Sequence, residues 1–293
     1  MRLMTRVLSA VALLMFLSTA ILPAFAQDAT GYKLRRSFKV NEIRRYKLVT
    51  DMNGEMRMGE NSMPLNMQMV MTYREKVAGI KEGKATIHTT FEDMKMFMNG
   101  QEFANPMAPN MSNVVVTTVV DDRNRVLEIK GIEALAAGAG GMGGMNMGPG
   151  YNTPAPFPEG EIKVGETWEI EVPIPNAKDF TLKAKQTLVG VEKVGGVDAA
   201  RIKTEMEIPD ERLMAAMAQQ MPAGTPPMSG TMKIVSHSYC DLATGNLLKM
   251  DGDVAMVIQM SGEGNPQMPQ NMQMNMTAKM SLTQVKEAAP ASR

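Results

Sequence analysis

The chain has 293 residues with 31 basic and 31 acidic side chains, so it carries no net charge to draw nucleic acid or an anionic membrane surface. A single cysteine, Cys240, excludes an internal disulfide framework. Methionine, at 32 residues, stands far above ordinary usage and is the main compositional anomaly.

Arg2 and Arg6 precede an apolar run from Val7 to Leu22 that ends in Pro23-Ala24-Phe25-Ala26. This pattern predicts a secretory signal peptide over 1–26, with small residues before the cleavage point. The run is shorter than the roughly 20 residues that span a bilayer, and no later segment is expected to be transmembrane. The mature chain then begins near Gln27, exported to the periplasm or secreted. No cysteine follows the cleavage point to carry a lipoprotein anchor. Removal of the signal leaves 29 basic against 31 acidic residues, and 29 methionines.

Four landmarks recur in order along the mature chain, which predicts an internal duplication. Phe38-Lys39-Val40-Asn41-Glu42 returns as Ile162-Lys163-Val164-Gly165-Glu166, each followed by an aromatic, Tyr46 or Trp168. Glu75-Lys76-Val77-Ala78-Gly79 returns as Glu192-Lys193-Val194-Gly195-Gly196, and Ala85-Thr86-Ile87 as Ala200-Arg201-Ile202. The stretch from Asp121 to Gly131 matches that from Asp241 to Gly252. The expected organisation is a first β unit over 27–137, a Gly/Met/Pro-rich linker over 138–160, a second β unit over 161–286 and a disordered tail over 287–293.

Within the units, apolar residues alternate with period two, the mark of strands with one buried face. In the first unit this pattern runs over 67–73, 85–94, 114–120 and 126–129. In the second it runs over 167–174, 180–194, 199–208, 231–239, 247–260 and 272–285. Asp122-Arg123-Asn124, Gly195-Gly196 and Ala243-Thr244-Gly245-Asn246 supply turns between them. One stretch breaks the period: Leu213, Met214, Met217 and Met221 share a helical face after Pro209-Asp210-Glu211, which predicts a helix over about 210–221. The fold class is therefore mainly β: two duplicated antiparallel units, as a curved sheet, sandwich or half-barrel, with one short helix in the second.

Catalysis finds no foothold in this pattern. His88 and His237 both sit in strand patterns at surface or edge positions, and neighbours on a strand point to opposite faces, so no nucleophile meets a base locally. Glu92-Asp93, Asp121-Asp122 and Asp251/Asp253 are read as turn and surface carboxylates, and Asp251-Gly252-Asp253 lacks the other ligands of a calcium loop. Phosphate-loop, nucleophile-elbow and paired-cysteine signatures are absent. An enzyme is not expected, nor a cofactor.

Methionine is the remaining chemistry. Thioethers are soft ligands suited to Cu(I). Met142-x-x-Met145-x-Met147 in the linker is similar to the methionine motif of copper transporters, and Met272-x-Met274-x-Met276 forms a second cluster. These six residues are the candidate metal ligands. The plainer reading takes alternating methionines, as at 67, 69 and 71, for an adaptable apolar strand face.

Lys163-Val164-Gly165-Glu166-Thr167-Trp168, the Glu192-Lys193-Val194 strand end with Gly195-Gly196, and Asp241-x-x-Thr244-Gly245 resemble the strand-start and hairpin motifs of an uncharacterised family of exported bacterial β-rich proteins, a domain of unknown function. More distantly, long strands with an inserted helix resemble the half-barrel carriers that move lipoproteins or lipids across the periplasm. That resemblance implies a scaffold or a hydrophobic-ligand binding module, with an unknown protein or lipid-like partner. Cu(I) binding is the alternative.

Overall fold

The computed structural model of the protein describes residues 30–103, 113–131, 156–173, 181–208, 228–261 and 271–285. The expected signal peptide, the helix over 210–221, most of the linker with Met142, Met145 and Met147, and the tail lie outside these residues. Twelve strands are described: β1 (Ile43–Met58), β2 (Asn61–Lys81), β3 (Lys84–Met98), β4 (Gln101–Phe103), β5 (Val115–Val120), β6 (Val126–Lys130), β7 (Thr167–Pro173), β8 (Thr181–Val194), β9 (Val197–Ile208), β10 (Met228–Asp241), β11 (Leu247–Ser261) and β12 (Asn271–Val285). No helix occurs among the described residues.

All twelve belong to one antiparallel sheet of order β6-β5-β3-β2-β1-β12-β11-β10-β9-β8-β7, with β4 paired to β3. Strands from both expected units meet in this layer, where β1 pairs with β12 from Arg45↔Val285 to Met58↔Met272. The sheet does not close, for β6 and β7 each pair with one strand only among the described residues.

Side-chain alternation splits the sheet into two faces. On β1 the outward positions are Arg45, Lys47, Val49, Asp51, Asn53, Glu55 and Arg57, polar apart from Val49, and the inward ones from Tyr46 to Met58 are apolar apart from Thr50. β12 repeats this, with Gln273, Asn275, Thr277 and Lys279 outward and Met272, Met274, Met276, Met280 and Leu282 inward. Water is the natural solvent of such an outer face, since transmembrane barrels alternate in the opposite sense. No described helix is long and apolar enough to cross a membrane.

The segment leading into β1 acts as a strap across one end of the inner face. The backbone N–H of Arg36 donates to Asp122 O at 2.6 Å, in the β5–β6 turn, and that of Ser37 to Thr244 O at 2.8 Å, in the β10–β11 turn. Neighbouring residues are about 3.8 Å apart along the chain, so the two carbonyls lie within about 10 Å of each other. In a flat sheet roughly six spacings of about 4.8 Å would hold those turns about 29 Å apart. The sheet is therefore strongly rolled, with the apolar face inside.

The segment before β7 completes the strap. Tyr32 and Ile162 exchange backbone hydrogen bonds at 2.8 and 3.0 Å, and the Phe157 N–H donates to Arg123 O at 2.8 Å. Leu34, Phe157 and Ile162 join Tyr46, Leu48, Met71, Leu188, Ile202, Met250 and Leu282 in one buried cluster. Tyr46 stacks on Tyr73 with ring centroids 5.4 Å apart, and its hydroxyl donates to Leu247 O at 3.2 Å. Burial raises the Tyr46 hydroxyl pKa, with the Glu75 carboxylate adding to the shift.

The lead-ins to β1 and β7 make matching bonds. Val77 accepts from Asn41 and donates to Glu42, and Leu188 accepts from Gly165 and donates to Glu166. A register shift follows each, between Val77 and Gly79 and between Leu188 and Gly190. Val77-Ala78-Gly79 and Leu188-Val189-Gly190 thus share one bonding pattern, while Glu192–Gly196, the segment matched to 75–79 in the sequence, runs from the end of β8 into the β8–β9 turn.

Candidate functional site

Above the strap the inner face continues as a concave surface lined by methionine. Register gives its rows: Met98, Met67, Met52, Ala278, Val254, Ile234, Met206, Ala184 and Ile170 lie side by side from β3 to β7. The next row upward runs Leu65, Gly54, Met276, Met256, Met232, Ile208. Gly54 leaves room for its neighbour, since a Cβ there would stand 2.8 Å from Met276 Cγ and 2.5 Å from Asn275 O. Met256, Ile258 and Met276 are buried, with Met52, Leu65, Met232 and Met274 packed against them.

This half of the face is less covered than the strapped half. Leu48 and Leu282 are wholly buried, while Met63 and Met98 expose 54% and 39% of their surface. Met52, Met56, Met58, Met69, Met94, Met96, Met232, Met272 and Met274 are half-buried. Flexible, polarizable side chains on a concave apolar surface form an adaptable binding wall.

Between the two halves runs a row of different chemistry: Thr50 on β1, Met280 on β12, Gly252 on β11, Ser236 on β10, Thr204 on β9 and Gln186 on β8. Gln186 is 1% exposed and Thr50 is fully buried, yet Gln186 Oε1 and Thr50 Oγ1 have no hydrogen-bond partner. Gln186 Nε2 donates to Thr204 Oγ1 at 3.2 Å. An unsatisfied buried polar group costs about 1–3 kcal/mol, so such a row is a liability in a pure packing design. Sequence reading passed over it, although Gln186 visibly interrupts the apolar alternation Leu182, Ala184, Leu188.

The sequence-predicted candidates fall as follows. Met272, Met274 and Met276 share the inner face of β12, opposite Met58, Met56 and Gly54 of β1. Successive inward side chains on a strand are about 6.8 Å apart, so the three are spread along β12, and thioethers face each other across to β1 at the Met56/Met274 and Met58/Met272 pairs. The apolar packing of Met276 and Met274 gives this cluster a core role that the sequence did not reveal. No group of three His, Cys, Asp or Glu able to hold a metal occurs among the described residues.

His88 lies beside Lys76 on β2 and Thr117 on β5, and His237 beside Asp251 on β11 and Lys203 on β9. Burial, with Arg201 and Lys203 nearby, lowers the His237 pKa below its ordinary value. Asp121 accepts the N–H groups of Arg123 and Arg125 at 3.0 and 2.8 Å, and Glu92 pairs with Arg45. Asp251 and Asp253 sit within β11 rather than beside a turn, and Asp251 pairs with Lys249 at 2.6 Å.

Cys240 is buried, and burial pushes its thiol pKa up to about 12. We expect a disulfide reagent such as Ellman's to leave the native protein unlabelled and to modify one thiol once urea unfolds it. Rapid labelling without denaturant would refute the packing around Cys240.

No family model matches the chain, and no curated protein matches it. Among solved structures it is similar to one described by the lipid–protein interactions in lipovitellin, at 10% identity and a TM-score of 0.46. That match covers 87% of this chain and 27% of the other, so the chain spans about a quarter of that protein's length. It is also similar to a DUF1329 family protein from Desulfovibrio piger, at 9% identity, TM-score 0.14, covering 85% and 88% of the two chains. A domain of outer membrane lipoprotein-sorting type from Vibrio parahaemolyticus matches at 10% identity, TM-score 0.13, covering 82% and 83%. At these scores the similarities assign neither a family nor a ligand.

Proposed function

We propose that this is an exported, non-catalytic envelope protein that binds a hydrophobic, lipid-like molecule on the methionine-lined half of its rolled sheet. The observation that carries this reading is the contrast within one inner face: apolar on both sides of its one polar row, closed where the strap fills it and half-exposed above. Burial of apolar surface at about 25 cal/mol per Å² supplies a non-directional driving force that suits an acyl chain. Export rests on the signal-like residues before Gln27, and duplication is supported by the matching bonds at Val77 and Leu188.

Native mass spectrometry of the mature protein from an envelope fraction tests this. The expected result is a lipid-sized adduct, lost in the Met56→Asp variant, which places a charge on the half-buried inner wall. A bare mass from the wild type would overturn the reading and leave a scaffold for a protein partner.

The facing pairs Met56/Met274 and Met58/Met272 favour a second reading, Cu(I) binding, in which Met142, Met145 and Met147 also act. Copper retained against a chelator under anaerobic conditions, and lost when those three linker methionines become leucine, would support it.

A further inference from the structure

The uncovered inner face would serve any oily molecule, but the row at its floor is selective. Ser236 on β10, Thr204 on β9 and Gln186 on β8 are directly in register, and Gln186 Oε1 is buried without a partner. Either orientation of the amide leaves one end of Gln186 free, because Thr204 engages only the other. Of Thr50, Ser236, Thr204 and Gln186, Thr204 alone is half-buried, so the row keeps exposed surface at Thr204 while Gln186 lies closed beside it. Apolar rows flank it above, at Ala184, Met206 and Ile234, and below, at Leu188 and Ile202.

Charge narrows the choice further. Above this row no inward position on β1, β2 or β8–β12 is Lys, Arg, Asp or Glu, and the charged side chains of that region lie on the outer face. An ionised head group buried here would meet no counter-charge, which is prohibitive without pairing.

We propose that the hydrophobic ligand is an amphiphile with an uncharged hydrogen-bonding head, whose head group bonds to Gln186 and Thr204 while its chain lies along the methionine wall. This rests on the reading of the wall as a hydrophobic-ligand site. The free amide end of Gln186 is then a recognition group waiting for its partner.

Displacement of the fluorescent probe N-phenyl-1-naphthylamine from the mature full chain tests this with three competitors of equal chain length: dodecan-1-ol, 1-chlorododecane and dodecyltrimethylammonium. The alcohol should compete about tenfold better than the chloride, the difference one added hydrogen bond makes, and the cation should be the weakest. In Gln186→Leu the alcohol should lose that advantage while the chloride is unaffected, and Thr204→Val should reduce it independently should the first variant fail to fold. An alcohol preference that survives both variants, or no preference in the wild type, overturns the proposal and leaves the apolar wall standing. Equal competition by the cation overturns the neutral-head assignment. Failure of the naphthylamine and of all three competitors to bind overturns the hydrophobic-ligand reading itself.

Discussion

Replacing Gly245 by alanine should destabilise the protein by more than about 3 kcal/mol, whereas the same change at Gly195 should cost about 1–2 kcal/mol. Both glycines have positive φ, 66° and 58°, so both substitutions force a left-handed conformation on an L side chain. Their surroundings differ. A Cβ on Gly195 meets nothing within 4 Å, but on Gly245 it would stand 2.3 Å from Arg35 O and 2.8 Å from Arg36 Cα. These are backbone atoms of the strap and cannot swing aside as a side chain would. The strap must lift, and with it go the Ser37 to Thr244 bond and the seating of Leu34, which is 1% exposed. Urea unfolding of both variants gives the comparison directly. Equal losses would mean that the strap does not press on the β10–β11 turn.

That turn shows what was legible in the sequence. Asp241, Thr244 and Gly245 read as a hairpin, and in the structure Asp241 accepts from the Ala243 N–H at 2.8 Å and from the Thr244 hydroxyl at 2.7 Å. Such bonds are local, so local sequence encodes them. What the turn does for the fold was not legible, because its strap partner is Ser37, more than two hundred residues away.

The strands divide along the same line. β8 and β9 announce themselves by alternation and the Gly195-Gly196 turn. β1 lies outside the period-two segments, since Asn53 and Gly54 are poor strand formers, and Pro64 argues against a strand in the first part of β2. The structure accommodates both. Gly54 lies where Met276 needs its space, and Pro64 lies before Met67, where β2 pairs with β1 only. Tertiary neighbours overrule propensity at each point. The candidate site was half legible for the same reason: alternating methionines predict an apolar face, but only the register gathers Thr50, Ser236, Thr204 and Gln186 into one row.

Phe157→Ala should cost about 3–5 kcal/mol, the usual range for removing a buried aromatic ring. Phe157 has no exposed surface although it lies outside any strand, and its neighbours come from several strands of the rolled sheet as well as from Leu34 and Ile162. It is anchored on both sides of its own backbone: its N–H donates to Arg123 O at 2.8 Å, and its carbonyl accepts from Arg123 Nε at 3.0 Å. The segment therefore cannot collapse freely into the space the ring leaves, which places the cost toward the upper end. Met63→Ala, on the open half, should change stability by less than about 0.5 kcal/mol. The same pair of variants separates the two roles of the inner face: Phe157→Ala should lower the urea midpoint, while Met63→Ala should leave it in place and weaken naphthylamine binding. A loss below about 1 kcal/mol for Phe157→Ala would detach the strap from the core and remove the reason for calling one half of that face closed and the other open.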